Sequence, residues 1–108
     1  MLYVVIAHDG TEPGVLERRM SVRGAHMASG EKMMQDGSFL FGGAILDGAG
    51  KMAGGVLVVD FESSDEIDEW LANEPYVINK VWKNVEIHPF LVPPQFLALF
   101  PKYQSLSV

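Results

Sequence analysis

Two side chains suited to acid/base chemistry lie close together on one predicted helix. Arg23 and His26 are three residues apart in a segment, residues 13–35, whose apolar residues recur at helical spacing. These apolar residues are Leu16, Met20, Met27 and Met34. Position 23 falls on the same stripe, and burying a guanidinium is costly unless it is paired or lines a cavity.

Two interpretations of this pair follow from the residue types. In the first, Arg23 and His26 face a cleft, where a guanidinium binds an anion through its fork of donors and an imidazole moves a proton near neutral pH. In the second, Arg23 pairs with an internal carboxylate and His26 only closes the edge of the core. The first interpretation is a functional site and the second is a purely structural one.

The remaining candidate residues lie on other predicted elements. His8 adjoins Asp9 at the end of the first strand, where it either joins the pocket or is solvated. Gly42 and Gly43 interrupt a strand, which indicates a bulge or the close approach of a ligand or helix backbone. Tyr76 either donates a hydrogen bond into the pocket or packs in the core. The list is completed by His88, expected at a dimer face or at the surface.

No metal or cofactor is expected. The histidines and carboxylates do not follow a metal-ligand spacing, and no glycine-rich phosphate loop follows a strand. The absence of cysteine excludes disulfides, thiolate nucleophiles and Cys-ligated zinc. A net charge of −6 excludes the basic footprint of a nucleic-acid-binding protein. No apolar run reaches a membrane span or a secretory leader, so we expect a cytoplasmic protein without membrane contact.

The elements that must position these residues follow in the order β-α-β-β-α-β. Strands are predicted at residues 2–8, 39–46, 53–61 and 85–90, with helices at 13–35 and from Ser63, and a short helical turn at 74–80. This order predicts an α+β, ferredoxin-like fold with a four-stranded antiparallel sheet. Helices cover one face of such a sheet, yet the strands are apolar on both faces. We therefore expect a homodimer through the open sheet face.

The length of 108 residues fits one domain, residues 1–90, and an extension, residues 91–108. The extension is rich in apolar residues such as Phe96, Leu99 and Tyr103, and we expect it to dock on a partner subunit or build a higher oligomer.

Six segments resemble the YCII-related family across residues 1–90. They are MLYVVIAHD (1–9), RMSVRGAH (19–26), DG with FGG (36–37 and 41–43), DFES (60–63), EPYV (74–77) and VEIHPF (85–90). The resemblance implies a dimeric α/β barrel with a pocket between helix and sheet and a His–Asp pair, and relatives include a dechlorinating enzyme that acts on hydroxylated aromatic rings. By position, it makes His26 the acid/base and Asp9 its carboxylate. Gly24 and Glu74 depart from the proline and aspartate usual in the family.

The function expected from these residues is cofactor-independent acid/base chemistry on a small anionic or phenolic molecule. A lyase or isomerase reaction is expected, such as dechlorination or lactone or phenol chemistry, with His26 and Asp9 as the catalytic pair. The residues expected to bind the substrate are Arg23, His8, Gly42, Gly43, Glu74 and Tyr76. The alternatives are a non-catalytic dimeric module that binds a small ligand or builds an assembly, and an internal Arg23–His26 network that binds nothing.

Overall fold

The computed structural model describes residues 1–100, which form an antiparallel sheet with its helices on one face. The strands are β1 (Leu2–Asp9), β2 (Phe39–Leu46), β3 (Met52–Asp60) and β4 (Trp82–Pro89). The helices are α1 (Val15–Asp36), α2 (Ser64–Asn73), α3 (Pro75–Ile78) and α4 (Pro94–Leu97). Among the described residues, no helix has the length and apolar character needed to cross a membrane.

The strands lie in the order β2-β3-β1-β4, and every neighbouring pair is antiparallel. With α1 and α2 as the two crossovers, this is the ferredoxin-like arrangement, and the predicted fold class is confirmed. Strand β4 begins at Trp82, three residues before the predicted start at Val85. The earlier start matters because it places Trp82 beside the helices.

The core lies between the sheet and the helices because alternate residues of each strand face inward. Tyr3, Val5 and Ala7 of β1 are buried, and they meet Ile67 of α2 and Tyr76 of α3 in one apolar cluster. Ser63 begins α2 by accepting a hydrogen bond from the backbone N–H of Glu66, as the sequence predicted.

The buried stripe of α1 differs from the predicted one. Met20, Met27 and Met34 are 53%, 53% and 59% exposed, whereas Val15 and Arg19 are buried. The inward stripe continues through Val22, His26 and Met33, at the same helical spacing but turned by one residue, or about 100°. The predicted stripe was wrong because it followed the apolar methionines, whereas the polar side chains of Arg19 and His26 face inward.

The opposite sheet face is apolar and uncovered within residues 1–100. Phe41 is 70% exposed, and Val4, Ile6, Val56 and Val58 are half-buried. Pairing along the sheet reaches the last residue before the extension, since the backbone N–H of Phe90 donates to the carbonyl of Leu2. Leu91 and Leu99 are then exposed. Residues 101–108, including Tyr103, lie outside the described part of the chain, so the predicted docking of the extension stays a prediction.

Candidate active site

His26 and Glu74 form a hydrogen-bonded pair at the inner face of α1. Nδ1 of His26 lies 2.5 Å from Oε1 of Glu74, which is 2% exposed. The same oxygen accepts the backbone N–H of Tyr76 at 3.2 Å, so Glu74 also caps α3. Pro75 opens this helix at a position where its missing N–H leaves no bond unmade. The Glu-Pro-Tyr segment therefore fixes the carboxylate through its own turn.

The imidazole of His26 is held by aromatic rings as well as by the carboxylate. It stacks on Tyr76 with the ring centroids 3.9 Å apart and meets the edge of Trp82 at 5.7 Å. A carboxylate at Nδ1 favours the tautomer that carries its proton there. Nε2 is then the nitrogen left for a ligand, and no atom of residues 1–100 forms a hydrogen bond with it.

Arg19 is buried beside this pair and is fully engaged by the protein. Its guanidinium donates to Asp9 Oδ2 at 2.9 Å, to the Gly54 carbonyl at 2.9 Å and to the Tyr76 hydroxyl at 3.2 Å. Burial raises the pKa of Asp9 above its usual value, although the charges of Arg19 and His8 oppose the shift. Burial also raises the pKa of the Tyr76 hydroxyl, so that this group stays protonated at neutral pH. The network fixes the ring on which His26 stacks.

A cavity of about 550 Å³ lies between α1 and the β2–β3 half of the sheet. His26, Arg19 and Arg23 line it together with a mainly apolar wall that includes Met27 and Trp82. Within residues 1–100, Arg23 has neither a hydrogen bond nor an ion pair, whereas Arg19 is paired with Asp9. The internal ion pair that the second interpretation gave to Arg23 is therefore made by Arg19. Arg23 lines the cavity instead.

The expected His26–Asp9 pair is not formed. The carboxylate that contacts His26 is Glu74, while Asp9 contacts Arg19. The physical reason is the rotation of α1, which directs position 19 toward the end of β1 and position 26 toward the start of α3. Glu74, which departs from the aspartate that the resemblance implied, reaches the imidazole.

The other candidate residues divide between the cavity and the remaining surface. Gly42, Gly43 and Tyr76 line the cavity with Arg23 and His26. His8 is exposed and belongs to a separate surface depression with Asp9. His88 is exposed on the open sheet face, opposite Val4. Among the described residues, no cluster of His, Asp and Glu suited to a metal ion is found.

Two residues of the site were missed in the sequence. Arg19 is four residues after Val15 and seven before His26, so the spacing 15, 19, 22 and 26 would have placed it on the inward face. Trp82 was missed because the last strand was predicted to begin at Val85, three residues after its actual start. Its indole Nε1 is buried without a hydrogen-bond partner in the described part of the chain.

Comparison with known proteins shows the family of the chain. The YCII-related domain matches residues 1–91. The chain belongs to the YCII-related family. Protein YciI of Escherichia coli O6:H1 is 34% identical over 96 residues, which cover 83% of this chain and 96% of that protein. An uncharacterized protein of Haemophilus influenzae is 31% identical with the same coverage. The predicted family is thus confirmed.

A solved structure of similar fold is 5-chloro-2-hydroxyhydroquinone dehydrochlorinase (TftG) from Burkholderia phenoliruptrix, in complex with 2,5-dihydroxybenzoquinone. The TM-score is 0.74, and the alignment covers 84% of this chain and 94% of TftG. With 24% sequence identity, this likeness shows that the two proteins share a fold.

Proposed function

We propose that this YCII-related protein catalyses a cofactor-independent lyase or isomerase reaction on a small anionic or phenolic molecule, with His26 as the acid/base. The observation that carries the proposal is the His26–Glu74 hydrogen bond at the wall of a largely apolar cavity. Glu74 fixes the ring and favours the imidazolium that forms when Nε2 accepts a proton. Nε2 exchanges that proton with the ligand.

The two arginines have different parts in this proposal. Arg23 binds the negative charge of the ligand, because it lines the cavity without an anionic partner among the described residues. Arg19 is neutralised by Asp9 and holds the hydroxyl of Tyr76, so we assign both Arg19 and Asp9 a positioning part. One uncompensated guanidinium favours a ligand with a single negative charge. Hydroxylated aromatic rings are the first compounds to test, because TftG shares the fold and the compound in its name, 5-chloro-2-hydroxyhydroquinone, is such a ring.

The experiment is a thermal-shift screen of small organic acids and phenols, followed by assays of turnover on the compounds that stabilise the protein. His26→Ala should abolish turnover and leave the fold intact. His88→Ala is the matched control, because His88 lies on the opposite sheet face, and it should keep wild-type activity. Wild-type turnover in His26→Ala would end the acid/base role.

A second candidate function is a non-catalytic module that binds the same ligands. Arg23 lines an apolar cavity and has no anionic partner within residues 1–100, which supports ligand capture whether or not a reaction follows. In this case a compound from the screen raises Tm and is recovered unchanged. Arg23→Met should then remove the stabilisation, while His26→Ala should leave most of it.

We also propose a homodimer formed through the open sheet face. Strands β1 and β3 present Val4, Ile6, Val56 and Val58 there, and Phe41 stands beside them on β2. Burying roughly 600 Å² of such a surface on each subunit contributes on the order of 15 kcal/mol per subunit before association costs, at about 25 cal/mol per Å². A side chain such as Phe41 is costly to leave in water, and a second copy of the face covers it.

A further inference from the structure

The glycines of β2 and β3 are present for two different reasons. A Cβ on Gly54 would lie 2.3 Å from the carbonyl oxygen of Ala7, and one on Gly42 would lie 2.7 Å from that of Val56. These two positions need glycine because neighbouring backbone approaches too closely. Gly55 is different: its Cβ would make ordinary contacts, 3.5 Å to the Gly43 oxygen and 3.7 Å to Leu57 Cδ1, and its φ is not positive. The fold therefore accepts a side chain at position 55.

A side chain at position 55 would enter the cavity. Gly55 is buried, lines the cavity, and pairs with Ala7 on one side and Ala44 on the other. It is two residues before Leu57, which faces the helices, so alternation directs position 55 toward α1. Position 55 and its neighbour Ala44 carry nothing larger than a methyl group, while the side chains of Leu57 and Phe39 border this patch of the floor.

At position 55 the floor consists of the backbone of paired strands. Arg19 donates to the carbonyl of Gly54 at 2.9 Å, so a guanidinium is fixed one residue away from the bare position. Exposed Met27 and Met34 line the same cavity from α1 and offer flexible apolar side chains. The cavity thus joins the guanidinium of Arg23 to a patch of bare backbone at position 55.

We propose that Gly55 is a specificity-determining residue, which lets the planar ring of an anionic ligand lie on the β2–β3 backbone. This inference rests on the proposed function for the cavity and narrows its ligand class to planar cyclic monoanions. A planar ring contacts a flat surface with all of its atoms, whereas a puckered ring touches it with few. A side chain at position 55 would lift either ring from the floor and remove this preference.

The test is isothermal titration with three carboxylates of equal charge: benzoate, which is planar, cyclohexanecarboxylate, which is puckered, and acetate, which has no ring. Wild type should bind benzoate the most tightly of the three. Gly55→Val should weaken benzoate binding by about tenfold or more, since a single extra methylene in an apolar pocket has an effect of that size and valine adds three carbon atoms. Acetate binding should not change. Gly55→Ala gives a smaller loss and keeps the fold, since its methyl group meets ordinary contacts.

Gly48→Val is the matched control, because position 48 lies in the turn between β2 and β3, where a Cβ meets nothing within 4 Å. Benzoate binding equal to wild type in both Gly55 variants would overturn the inference and leave the proposed site standing. Binding of none of the three carboxylates to wild type would overturn the inference, and the phenols of the thermal-shift screen would then decide whether the proposed function stands. A loss in Gly55→Val with no loss in Arg23→Met would remove the arginine from the proposed site and keep the inference.

Discussion

The buried network of Arg19 gives the sharpest test of how the site is built. Replacement of Arg19 by Met keeps a long, unbranched helical residue but removes the hydrogen bonds to Asp9, Gly54 and Tyr76. The Asp9 side chain is only 5% exposed, so the substitution leaves its carboxylate buried without a cation. Removing one partner of a buried ion pair costs about 3–5 kcal/mol of unfolding free energy.

The expected loss is large enough to measure by thermal and urea unfolding. For a domain of this size, each kcal/mol lowers Tm by about 4–8 °C, so Arg19→Met should lower Tm by at least about 12 °C at pH 7. The penalty should shrink as the pH is lowered toward the pKa of Asp9, which burial raises, because the unpaired carboxyl then takes a proton. Arg23→Met, the same change on the same helix, should cost less than about 0.5 kcal/mol because it breaks no hydrogen bond.

A double-mutant cycle with Asp9→Asn isolates the ion pair. Removing Arg19 should cost less in the Asp9→Asn background, with a coupling energy of about 0.5–3 kcal/mol, because no buried carboxylate is left unpaired. A loss below about 1 kcal/mol in Arg19→Met, or equal losses for Arg19→Met and Arg23→Met, would refute the assignment of Arg19 to the inner network.

Three further predictions concern the carboxylates and the open sheet face. Glu74→Gln keeps the bonds to His26 and to the backbone of α3 but removes the negative charge that favours the imidazolium. An initial-rate assay should therefore show a loss of about 100-fold or more in turnover, while stability falls by about 1 kcal/mol. Unchanged turnover would exclude a part for the Glu74 charge in the reaction. Phe41→Asp should turn the proposed dimer into a monomer in sedimentation, because it places a charge in the apolar face, and an unchanged sedimentation coefficient would contradict that interface. Since burial raises the pKa of Asp9, the folded state holds this proton more tightly than the unfolded state. The stability advantage of wild type over Asp9→Asn should therefore shrink as pH rises from about 3.8 through the folded pKa; an advantage that grows with pH would mean that the charge of Arg19 outweighs burial.

The order of elements was predictable because each strand and helix carries its own local signal. The apolar runs at residues 2–8 and 53–61, and the Ser63 cap, each specify an element without reference to the rest of the chain. The place of His26 at a cavity wall was predictable for a related reason, since an imidazole at the inner side of a helix is uncommon and its motif resembles a known family.

The partners of His26 were not predictable, because they depend on the rotation of α1. Hydropathy favoured Met20, Met27 and Met34 as the buried stripe, but Arg19 goes inward because Asp9, Gly54 and Tyr76 satisfy its donors. A sequence does not show such long-range compensation. Asp9 was taken as the partner of His26 by its position after β1, while Glu74 reaches the ring because its carboxylate is fixed by the α3 cap.

The central claim is that Glu74 holds His26 so that Nε2 is offered to a ligand in the cavity. Heteronuclear NMR of the imidazole tests it without knowledge of the substrate. The neutral ring should carry its proton on Nδ1, and benzoate should shift the Nε2 resonance of His26 while that of His88 stays in place. A proton on Nε2 in the neutral ring, or resonances of His26 that do not respond to benzoate or to any compound of the thermal-shift screen, would contradict the account.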